Sequence, residues 1–557
     1  MKISKLQQVA SPSELAQLLN IPQKFFLHHL YGQQPSNQYK QWTIPKKNGS
    51  LRSIASPQPN LKLIQSRLAE YLQDCLQEIR SQNNFHTNLS HGFEIDKSII
   101  TNAAIHEGQK YILNIDLENF FDSINFGRIR GFFIKNKNFK LHSSIASCIA
   151  HIACFNNSLP QGSPSSPVIS NLICSVLDIR LKNFAKRYKC LYTRYADDLT
   201  FSTYLKYLPE QIAKSHNYTN VELSTILINE IRTAGFTINS NKTRLQHSNL
   251  RQEVTGITVN KKLSAHKNYR NLCRAKAHHL FSHGYFNTMD KSTSLLKKGS
   301  MKELEGQLAF IDSLDKYNRK ANKISIEKNK RENLFGKFIF FKNFLSNERT
   351  ILLTEGKTDI QHLKCALIGL ELKQLQSTLQ FYNHSNSKTF LMNKTGQFNF
   401  VEGSNGLKTF IRDYEEIYTS ILKGQFTPPN PVIIISDNDH EGKKIQQLLS
   451  NKFQKTILND EPIHIIHNLY IIFLPAPPHL SNKNQNIEIE DLYPKSILAT
   501  RLNGKTFNRT NHKSNNNQYG KDSFVNKVIK SQINKLSFHG FKKIFRYIEV
   551  IQTHYKY

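Results

Sequence analysis

The 557-residue sequence predicts a multidomain protein in which an α+β part is followed by an α/β part. The chain is too long for one ordinary domain. Two apolar runs flank an acidic pair within residues 191–202, which predicts a β-hairpin with carboxylates at its tip. Continuous apolar runs at 350–354 and 431–436 are typical of strands that are buried on both faces of a parallel sheet.

The charge and the cysteines limit the partners and the compartment. A formal net charge of +33 favours a polyanion, most often nucleic acid, although a basic ribosome-associated or membrane-surface protein is an alternative. The seven cysteines form no CxxC pair, which argues against a zinc site and a disulfide framework and fits a reducing compartment. We find neither a signal-peptide core nor a run of membrane-spanning length, so we expect a cytoplasmic protein with no membrane partner.

The N-terminal part is predicted to be helical, with one two-stranded hairpin. Helical apolar spacing covers residues 1–35, 61–79 and 98–106. The Asn48–Gly49 dipeptide between alternating runs is a strong hairpin signal. This hairpin would carry Lys46, Lys47 and Arg52, either as cations that grip phosphates or simply as a solvated basic surface.

Three carboxylates are the candidate catalytic centre of this part. Asp116 ends an apolar strand, where a buried acid is costly unless a metal or cation compensates it. Asp197 and Asp198 occupy the hairpin tip, and adjacent residues of a strand point to opposite faces. An acid pair at a turn is by itself usually a solvated loop. Together with Asp116, the pair could bind two divalent ions, and magnesium prefers such oxygen ligands.

Two further stretches have both a functional and an ordinary interpretation. Gln161 and Gly162 lie in a Ser/Pro-rich loop where glycine would let a backbone or base approach closely, although a plain loop before a capped helix explains the same pattern. The basic helix at 269–280 would track phosphates or present a solvated face. The polar stretch Lys316–Arg331 is the predicted linker.

In their chain order, these pieces resemble the palm of a reverse transcriptase. The matching pieces are Asp116…Phe121, Gln161–Gly162, Tyr195-Ala-Asp-Asp198 and Gly235…Lys242. Two more motifs narrow the resemblance to bacterial retron reverse transcriptases. Asn102-Ala-Ala-Ile-His106 is similar to their NAxxH motif, and Val254-Thr-Gly256 is similar to their VTG motif. The resemblance extends over residues 15–320.

This resemblance implies a right-hand polymerase, with fingers and palm in 1–260 and a helical thumb and linker in 261–330. Asp116, Asp197 and Asp198 would hold Mg²⁺ for catalysis, and Phe121 would exclude a ribose 2′-hydroxyl. The other implied nucleotide-binding residues are Arg52, Gln161, Gly162 and Lys242. The implied RNA-binding residues are Asn102, His106, Val254, Thr255 and Gly256. The implied partners are dNTPs, a cognate non-coding RNA (msr–msd) and its branched DNA product (msDNA). By the same resemblance, DNA synthesis would be primed from the 2′-hydroxyl of an internal guanosine of the RNA.

The C-terminal third carries a second set of acids. Asp437 and Asp439 are two residues apart, so in an extended chain they face the same way and could share a metal at the carboxyl end of the sheet. Alternatively they cap the following helix. With Glu355, which follows the first apolar run, the pattern resembles a Toprim domain over 346–557. The resemblance implies general acid/base chemistry at Glu355 and a Mg²⁺ or Mn²⁺ site of Glu355, Asp437 and Asp439, to which Glu490 could contribute.

The two resemblances together imply a retron reverse transcriptase fused to a Toprim nuclease that acts in antiphage defence. Three alternatives remain: a group II intron or abortive-infection reverse transcriptase, an inert Toprim binding platform, and a basic RNA-binding scaffold with an inactive polymerase. The sequence leaves open the nuclease substrate (tRNA, other RNA or DNA), the phage trigger, the cognate RNA and whether the chain forms a homo-oligomer.

Overall fold

The computed structural model describes residues 2–45, 49, 51–82, 89–215, 221–290, 295–321, 330–382, 404–457, 461–477, 486–509 and 517–556. Lys46, Lys47 and Asn48 of the predicted hairpin lie outside these residues. The chain divides into two compact units, Met1–His266 and Lys267–Tyr557. The three-domain division predicted from the sequence stays a prediction. No helix within the described ranges combines the length and apolar character needed to cross a membrane.

The first unit mixes helices with short sheets. Its helices are α1 Lys2–Gln8, α2 Pro12–Leu18, α3 Gln23–Leu27, α4 Pro59–Gln82, α5 Ile99–Ile105, α6 Phe126–Lys135, α7 Ser143–Ala153, α8 Ser166–Arg187 and α9 Thr225–Thr233. Its strands are β1 Tyr39–Pro45, β2 Leu51–Pro57, β3 Tyr111–Glu118, β4 Leu191–Tyr195, β5 Asp198–Thr203, β6 Ala213–Ser215, β7 Val221–Leu223, β8 Thr237–His247, β9 Glu253–Val254 and β10 Ile257–Thr258.

A four-stranded antiparallel sheet, in the order β4-β5-β3-β8, supports the candidate site of this unit. Strands β4 and β5 form the predicted hairpin, and β3 pairs with both β5 and β8. Helices α7 and α8 contribute fully buried side chains, such as Ile149 and Leu181, to the same hydrophobic core as Phe201 of β5. A helix-packed core on one side gives the strands a fixed register, because a slip by one residue would expose their apolar side chains.

The second unit is an α/β structure preceded by helices. Its helices are α10 Lys267–His283, α11 Met301–Lys320, α12 Lys330–Phe340, α13 Lys357–Gly369, α14 Lys373–Thr378, α15 Ser404–Ile421, α16 His440–Phe453, α17 Lys495–Leu498, α18 Lys521–Ser523 and α19 Lys542–Lys556. Its strands are β11 Asn287–Met289, β12 Leu296–Lys298, β13 Thr350–Thr354, β14 Leu379–Phe381, β15 Val432–Ser436, β16 Ile463–Ile466, β17 Leu469–Phe473, β18 Thr506–Phe507 and β19 Gln518–Tyr519.

The predicted, mainly parallel sheet is confirmed in this unit. The strand order is β14-β13-β15-β17-β16, and every neighbouring pair is parallel except β16 and β17. Strands β13 and β15 are buried along their whole length, as their continuous apolar runs predict. The Toprim assignment of this sheet stays a prediction.

The first residues of the predicted linker are helical. Helix α11 continues to Lys320, and therefore includes the first five residues of the stretch predicted to be a linker. The charged side chains of this stretch do not end the helix, because Lys316 pairs with Asp312 one turn earlier at 2.7 Å. Polar composition alone therefore gave a misleading boundary here.

Candidate functional site

Three acids meet at one end of the sheet of the first unit. Asp116 of β3 lies directly opposite Asp198 of β5 in the antiparallel register. The backbone N–H of Leu117 donates to the backbone carbonyl of Asp197 at 3.0 Å, which fixes the hairpin tip against β3. The structure thus places Asp116, Asp197 and Asp198 beside one another, although Asp116 is separated from the pair by eighty residues of sequence.

The electrostatics of these acids favour a cationic ligand. Burial raises the pKa of Asp197, and the nearby charge of Asp116 raises it further. Burial also raises the pKa of Asp198 to about 6, with Asp197 and Asp116 adding to the effect. Grouped carboxylates with raised pKa values are stabilised in their charged form by a nearby cation. The positive charge of Arg52 lowers the pKa of Asp197 and so favours its charged form. The structure therefore brings this predicted nucleotide-binding residue towards the acids.

Lys242 makes the most direct contact with the acids. Its Nζ donates to both carboxylate oxygens of Asp116 at 3.0 Å. The pairing of β3 with β8 is irregular near this contact, because the register shifts between Asn114 and Asp116 of β3. Arg244, two residues further along β8, lowers the pKa of Asp198. Sequence reasoning missed Arg244, although alternate residues of a strand share a face and Lys242 was already a candidate.

The structure also locates the loop before α8 and Phe121, the predicted aromatic residue of the nucleotide site. The carbonyl of Gln161 accepts from the backbone N–H of Ala55 in β2 at 2.9 Å. Gly162 has a φ of +126°, and a Cβ there would lie 2.9 Å from the Ala55 carbonyl oxygen. Glycine is therefore required where this loop meets β2. Phe121 is half-buried and packs beside Phe93, with ring centroids 6.2 Å apart.

A buried arginine, which sequence reasoning missed, supports the hairpin tip. Arg194 is fully buried, and its Nε and Nη2 each donate to Asp178 of α8 at 2.8 Å. Its Nη1 donates to the carbonyl of Ala196 at 3.2 Å, immediately before Asp197. Burial alone would lower the pKa of Arg194, but the Asp178 carboxylate raises it above its ordinary value. A charged residue within the apolar strand β4 was the sequence signal for this pair.

The hairpin tip also packs closely on the segment that follows α4. The backbone N–H of His91 donates to the carbonyl of Arg194 at 2.8 Å, and the N–H of Arg194 donates to the carbonyl of Leu89 at 2.7 Å. A Cβ built on Gly92 would lie only 2.5 Å from the backbone nitrogen of Ala196. This position therefore accepts no larger side chain without a shift of the acid-bearing turn.

We expect Gly92→Ala to lower the DNA synthesis that the resemblance to reverse transcriptases implies by about 10-fold to 100-fold, because misplacing a reacting group by about 1 Å can cost that much. The measurement is nucleotide incorporation at saturating dNTP by the purified chain. Gly131→Ala in α6 is the matched control, since a Cβ there meets nothing within 4 Å. Equal activity of the two variants would contradict the close approach.

The NAxxH residues occupy the interior of the first unit. His106 is fully buried, with Nδ1 2.7 Å from Ser202 Oγ of β5 and Nε2 2.7 Å from Thr193 Oγ1 of β4. Thr193 in turn donates to Asn102 Oδ1 at 2.6 Å. Asn102 and His106 therefore hold together the two strands of the acid hairpin. Their predicted RNA contact stays a prediction, and this burial favours a positioning role over direct contact.

The VTG residues form a tight turn beside the NAxxH helix. Strands β9 and β10 pair through Val254 and Ile257, and Thr255 and Gly256 both have positive φ values of 48° and 81°. Such φ values at both central positions are those of a type I′ hairpin turn. Thr255 Oγ1 donates to the carbonyl of Ile99 in α5 at 3.3 Å. Val254 is buried, whereas Gly256 is exposed at the tip, where a nucleic-acid strand can reach it.

The buried histidine makes stability depend on pH. Burial lowers the pKa of His106 to about 3, so the unfolded chain, with an ordinary value near 6.5, binds the proton more readily. The stabilisation is complete above pH 6.5 and is lost as the pH falls towards 3. We expect His106 to account for a loss of about 2 kcal/mol in the free energy of unfolding between pH 7.5 and pH 5.

Urea unfolding at the two pH values measures this loss. His106→Gln should flatten the pH dependence by that amount, whereas His151→Gln, at an exposed histidine of α7, should leave it unchanged. An unaltered pH dependence in His106→Gln would show that this histidine does not control the acid response.

The acids of the second unit gather at the carboxyl ends of β13 and β15. Glu355 follows β13, and its Oε1 accepts from Ser436 Oγ, the last residue of β15, at 2.9 Å. Burial, together with the nearby charges of Asp439 and Asp359, raises the pKa of Glu355 to about 7. Burial also raises the pKa of Asp437, with additional repulsion from Asp359 and Glu355. These strands are adjacent and parallel, so their carboxyl ends lie at one edge of the sheet.

Asp439 caps helix α16, which is one of the two roles that the sequence allowed for it. Its Oδ1 accepts from the backbone N–H of Gly442 at 2.8 Å, at the start of α16. Asp359, which sequence reasoning missed, accepts from the N–H of Gly356 at 2.8 Å. Its place at the third position of α13, where an acid caps the start of a helix, was the available signal.

Glu490 lies deep beside the same acids. It is fully buried, its carboxylate is 3.2 Å from Lys521 Nζ, and its burial raises its pKa. A short backbone bridge between Asn438 and Ile487 brings this segment next to the end of β15. Lys521 also lowers the pKa of Asp437, which places a lysine that sequence reasoning missed within the field of the acids.

Both acid groups have the donor chemistry that a divalent metal requires. Each contains carboxyl groups whose pKa values are raised. Carboxylate oxygens are the preferred ligands of Mg²⁺. Among the residues that the structure describes, no group of three or more His, Cys, Asp or Glu side chains is arranged so that it could hold a metal ion as it stands. The acids are therefore neighbours whose carboxylates a bound ion would have to draw together.

Comparison with known proteins gives consistent matches in the first part of the chain. Residues 44–272 match the family of reverse transcriptases (RNA-dependent DNA polymerases). The retron Ec86 reverse transcriptase of Escherichia coli is 34% identical over 280 residues, which cover 50% of this chain and 77% of that protein. The retron Mx162 reverse transcriptase of Myxococcus xanthus is 35% identical over 237 residues, or 40% of this chain and 47% of that protein.

Among solved structures, a telomerase of Candida albicans in complex with a telomeric RNA fragment matches 55% of this chain and 64% of its own, with 10% identity and a TM-score of 0.34. The sequence matches are much closer, and the match to the Escherichia coli enzyme extends over most of that relative. The chain therefore belongs to the family of retron reverse transcriptases.

Proposed function

We propose that this chain copies a cognate non-coding RNA into branched msDNA, using the three acids of the first unit as its polymerase centre. The observation that carries the proposal is the pairing of Asp116 with Asp198 across β3 and β5, with Asp197 at the adjacent turn. The centre is flanked by Lys242, whose Nζ contacts Asp116.

Each residue has a role that follows from its place. Asp116, Asp197 and Asp198 would hold Mg²⁺, which when bound would supply positive charge for the attacking hydroxyl and the leaving pyrophosphate. Lys242 and Arg52 present positive charge towards the acids, where the triphosphate of a dNTP needs counter-charges.

The remaining residues shape the nucleotide pocket and its RNA contacts. Gln161 and Gly162 line the approach to β2, and Phe121 limits the space at the sugar. Val254, Thr255 and Gly256 form a turn whose exposed tip would contact RNA.

The structure of the DNA product tests this proposal. Cells expressing the chain together with the RNA encoded beside its gene should accumulate a small DNA that a 2′–5′ debranching enzyme shortens. The branch identifies the retron reaction, because priming from a 2′-hydroxyl leaves RNA attached to the DNA. Linear DNA that resists debranching would instead favour a group II intron or abortive-infection enzyme.

For the second unit, we propose a metal-dependent nuclease of the Toprim type that acts as an antiphage effector under the restraint of the RNA–DNA product. The observation that favours it is the convergence of Glu355, Asp437 and Asp439 at one edge of the parallel sheet. A carboxyl group with a pKa of about 7 suits general acid/base chemistry near neutral pH. Glu490 and Asp359 would complete the acid set that holds Mg²⁺ or Mn²⁺.

An isosteric variant separates a nuclease from an inert platform. The chain, expressed without its RNA, should be toxic to host cells, and Asp437→Asn should abolish this toxicity while DNA synthesis is retained. Asp522→Asn is the control, because this exposed acid lies in the same unit outside the acid set. Undiminished toxicity of the Asp437→Asn variant would leave the platform as the better explanation.

A further inference from the structure

A basic groove lies at the edge of the C-terminal sheet, away from the acids. It has a volume of about 740 Å³ and is formed by the edge strand β16, its neighbour β17 and helix α19. Tyr470, near the start of β17, and Tyr547 of α19 are among the residues that line it. Because β17 runs parallel to β13 and β15, Tyr470 lies towards the amino ends of the parallel strands, whereas Glu355 and Asp437 lie at their carboxyl ends.

The rim of this groove carries an unusual concentration of positive charge. Lys542, Lys543 and Arg546 line it from the first turns of α19, and Glu461 is the single acid among the described residues that line it. Cations near a helix N-terminus oppose the helix dipole. Lys542 and Arg546 are also four residues apart on one face, where like charges repel. This arrangement does not serve helix stability and is typical of a surface that binds an anion.

Two histidines extend the groove away from these cations. His554 Nδ1 lies 3.0 Å from the hydroxyl of Tyr470, and His464 packs on the ring of Tyr470 with centroids 4.7 Å apart. Both histidines are exposed. Lys542 and His554 are separated by about 18 Å along α19, from its rise per residue. A polar row of that length exceeds the size of one phosphate group and suits several successive phosphates of an extended strand.

The floor of the groove has an apolar character that a phosphate site alone would not need. Val550 of α19 is 51% exposed and lies in the groove together with Ile551, Tyr470 and Tyr547, whose side chains are largely buried. Aromatic and apolar groups beside a cationic row are the combination that accommodates bases together with their backbone.

We propose that this groove binds single-stranded nucleic acid, as a site separate from both acid centres. It goes beyond the polymerase and nuclease functions proposed above, because binding there requires neither reaction. Its cations would hold the phosphates while its apolar floor accepts the bases, and recognition would be largely independent of sequence.

Photocrosslinking with the full-length chain tests the proposal. The probe is a short oligouridylate that contains 5-iodouridine, and the readout is its attachment to the peptide that holds Tyr547 and His554. A triple variant, Lys542→Glu with Lys543→Glu and Arg546→Glu, should lose this cross-link by about tenfold or more. Loss of three phosphate contacts should also reduce the slope of log affinity against log salt concentration at this site by about 2.

The control must carry the same change of charge elsewhere in the same unit. Lys527→Glu with Lys530→Glu and Lys535→Glu meets this need, because all three lysines are exposed and none lines the groove. Their variant should cross-link as the wild type does. A second groove variant with glutamine at the three positions guards against misfolding, and thermal unfolding verifies that each variant is folded.

Several outcomes would overturn the proposal. These are no cross-link to this peptide in the wild type, equal cross-linking in the groove variants, or equal losses in both glutamate triples. Vesicles of phosphatidylglycerol test the remaining alternative, which is that the groove binds a membrane surface. If the groove variant loses vesicle binding while the oligonucleotide never cross-links there, the surface recognises a membrane instead of nucleic acid. Cross-linking requires no catalysis, so its failure is distinguishable from a failure of either proposed activity.

Discussion

Replacing Asp197 by asparagine is expected to reduce RNA-templated DNA synthesis by at least about 10³-fold, since it removes one charged ligand from the proposed metal site, which would act by electrostatic stabilisation. The fold should survive, because the bond that fixes the turn runs from the backbone N–H of Leu117 to the backbone carbonyl of residue 197. Burial raises the pKa of Asp197, which means that its charge destabilises the folded state at neutral pH. The melting temperature of the variant should therefore equal or exceed that of the wild type.

The opposite signs of these two effects make the measurement informative. Primer extension on an RNA template gives the activity, and thermal unfolding gives the stability of the same preparation. Asp74→Asn is the control, because Asp74 of α4 is a half-exposed acid that pairs with Lys2 at 3.2 Å. Incorporation within tenfold of the wild type by Asp197→Asn would contradict the assignment of the polymerase centre, and would favour a basic scaffold with an inactive polymerase.

The sequence predicted the acid-bearing strands of the first unit well, because their signals are local. An apolar strand that ends in an acid, and an acid pair between two β-prone runs, each specify a strand or hairpin whose register leaves little freedom. The adjacency of Asp116 and Asp198 then follows once β3 and β5 pair. The parallel sheet of the second unit was predictable for a similar reason, since runs buried on both faces have few other places in a fold.

Other parts of the site could not be predicted, because they depend on contacts between distant segments. Nothing local in α8 marks Asp178 as the partner of Arg194, and a sequence pattern gives no distance between them. Likewise, the NAxxH motif suggested RNA contact, yet His106 bonds to Ser202 and Thr193 inside the protein. A motif identifies residues that matter to a family without indicating whether they touch the ligand or hold other residues in place.

The Arg194–Asp178 pair provides the second large effect. Asp178→Asn would leave the fully buried Arg194 guanidinium without its countercharge, and we expect the free energy of unfolding of the first unit to fall by about 3–5 kcal/mol. Urea unfolding measures this loss. Glu70→Gln is the matched control, because its pair with Arg67 is 3.5 Å long and both side chains are largely exposed, so the change should stay within about 1 kcal/mol.

A double variant separates the contribution of this pair to stability from its role at the acids. Arg194→Met with Asp178→Leu removes both charges, and apolar replacements of a buried pair recover most of the stability. The bond from Arg194 Nη1 to the Ala196 carbonyl is still lost, so the turn that carries Asp197 loses a support. We therefore expect a stable protein whose rate of incorporation at saturating dNTP remains well below that of the wild type. Full recovery of both properties would show that the pair stabilises the fold without positioning the acids.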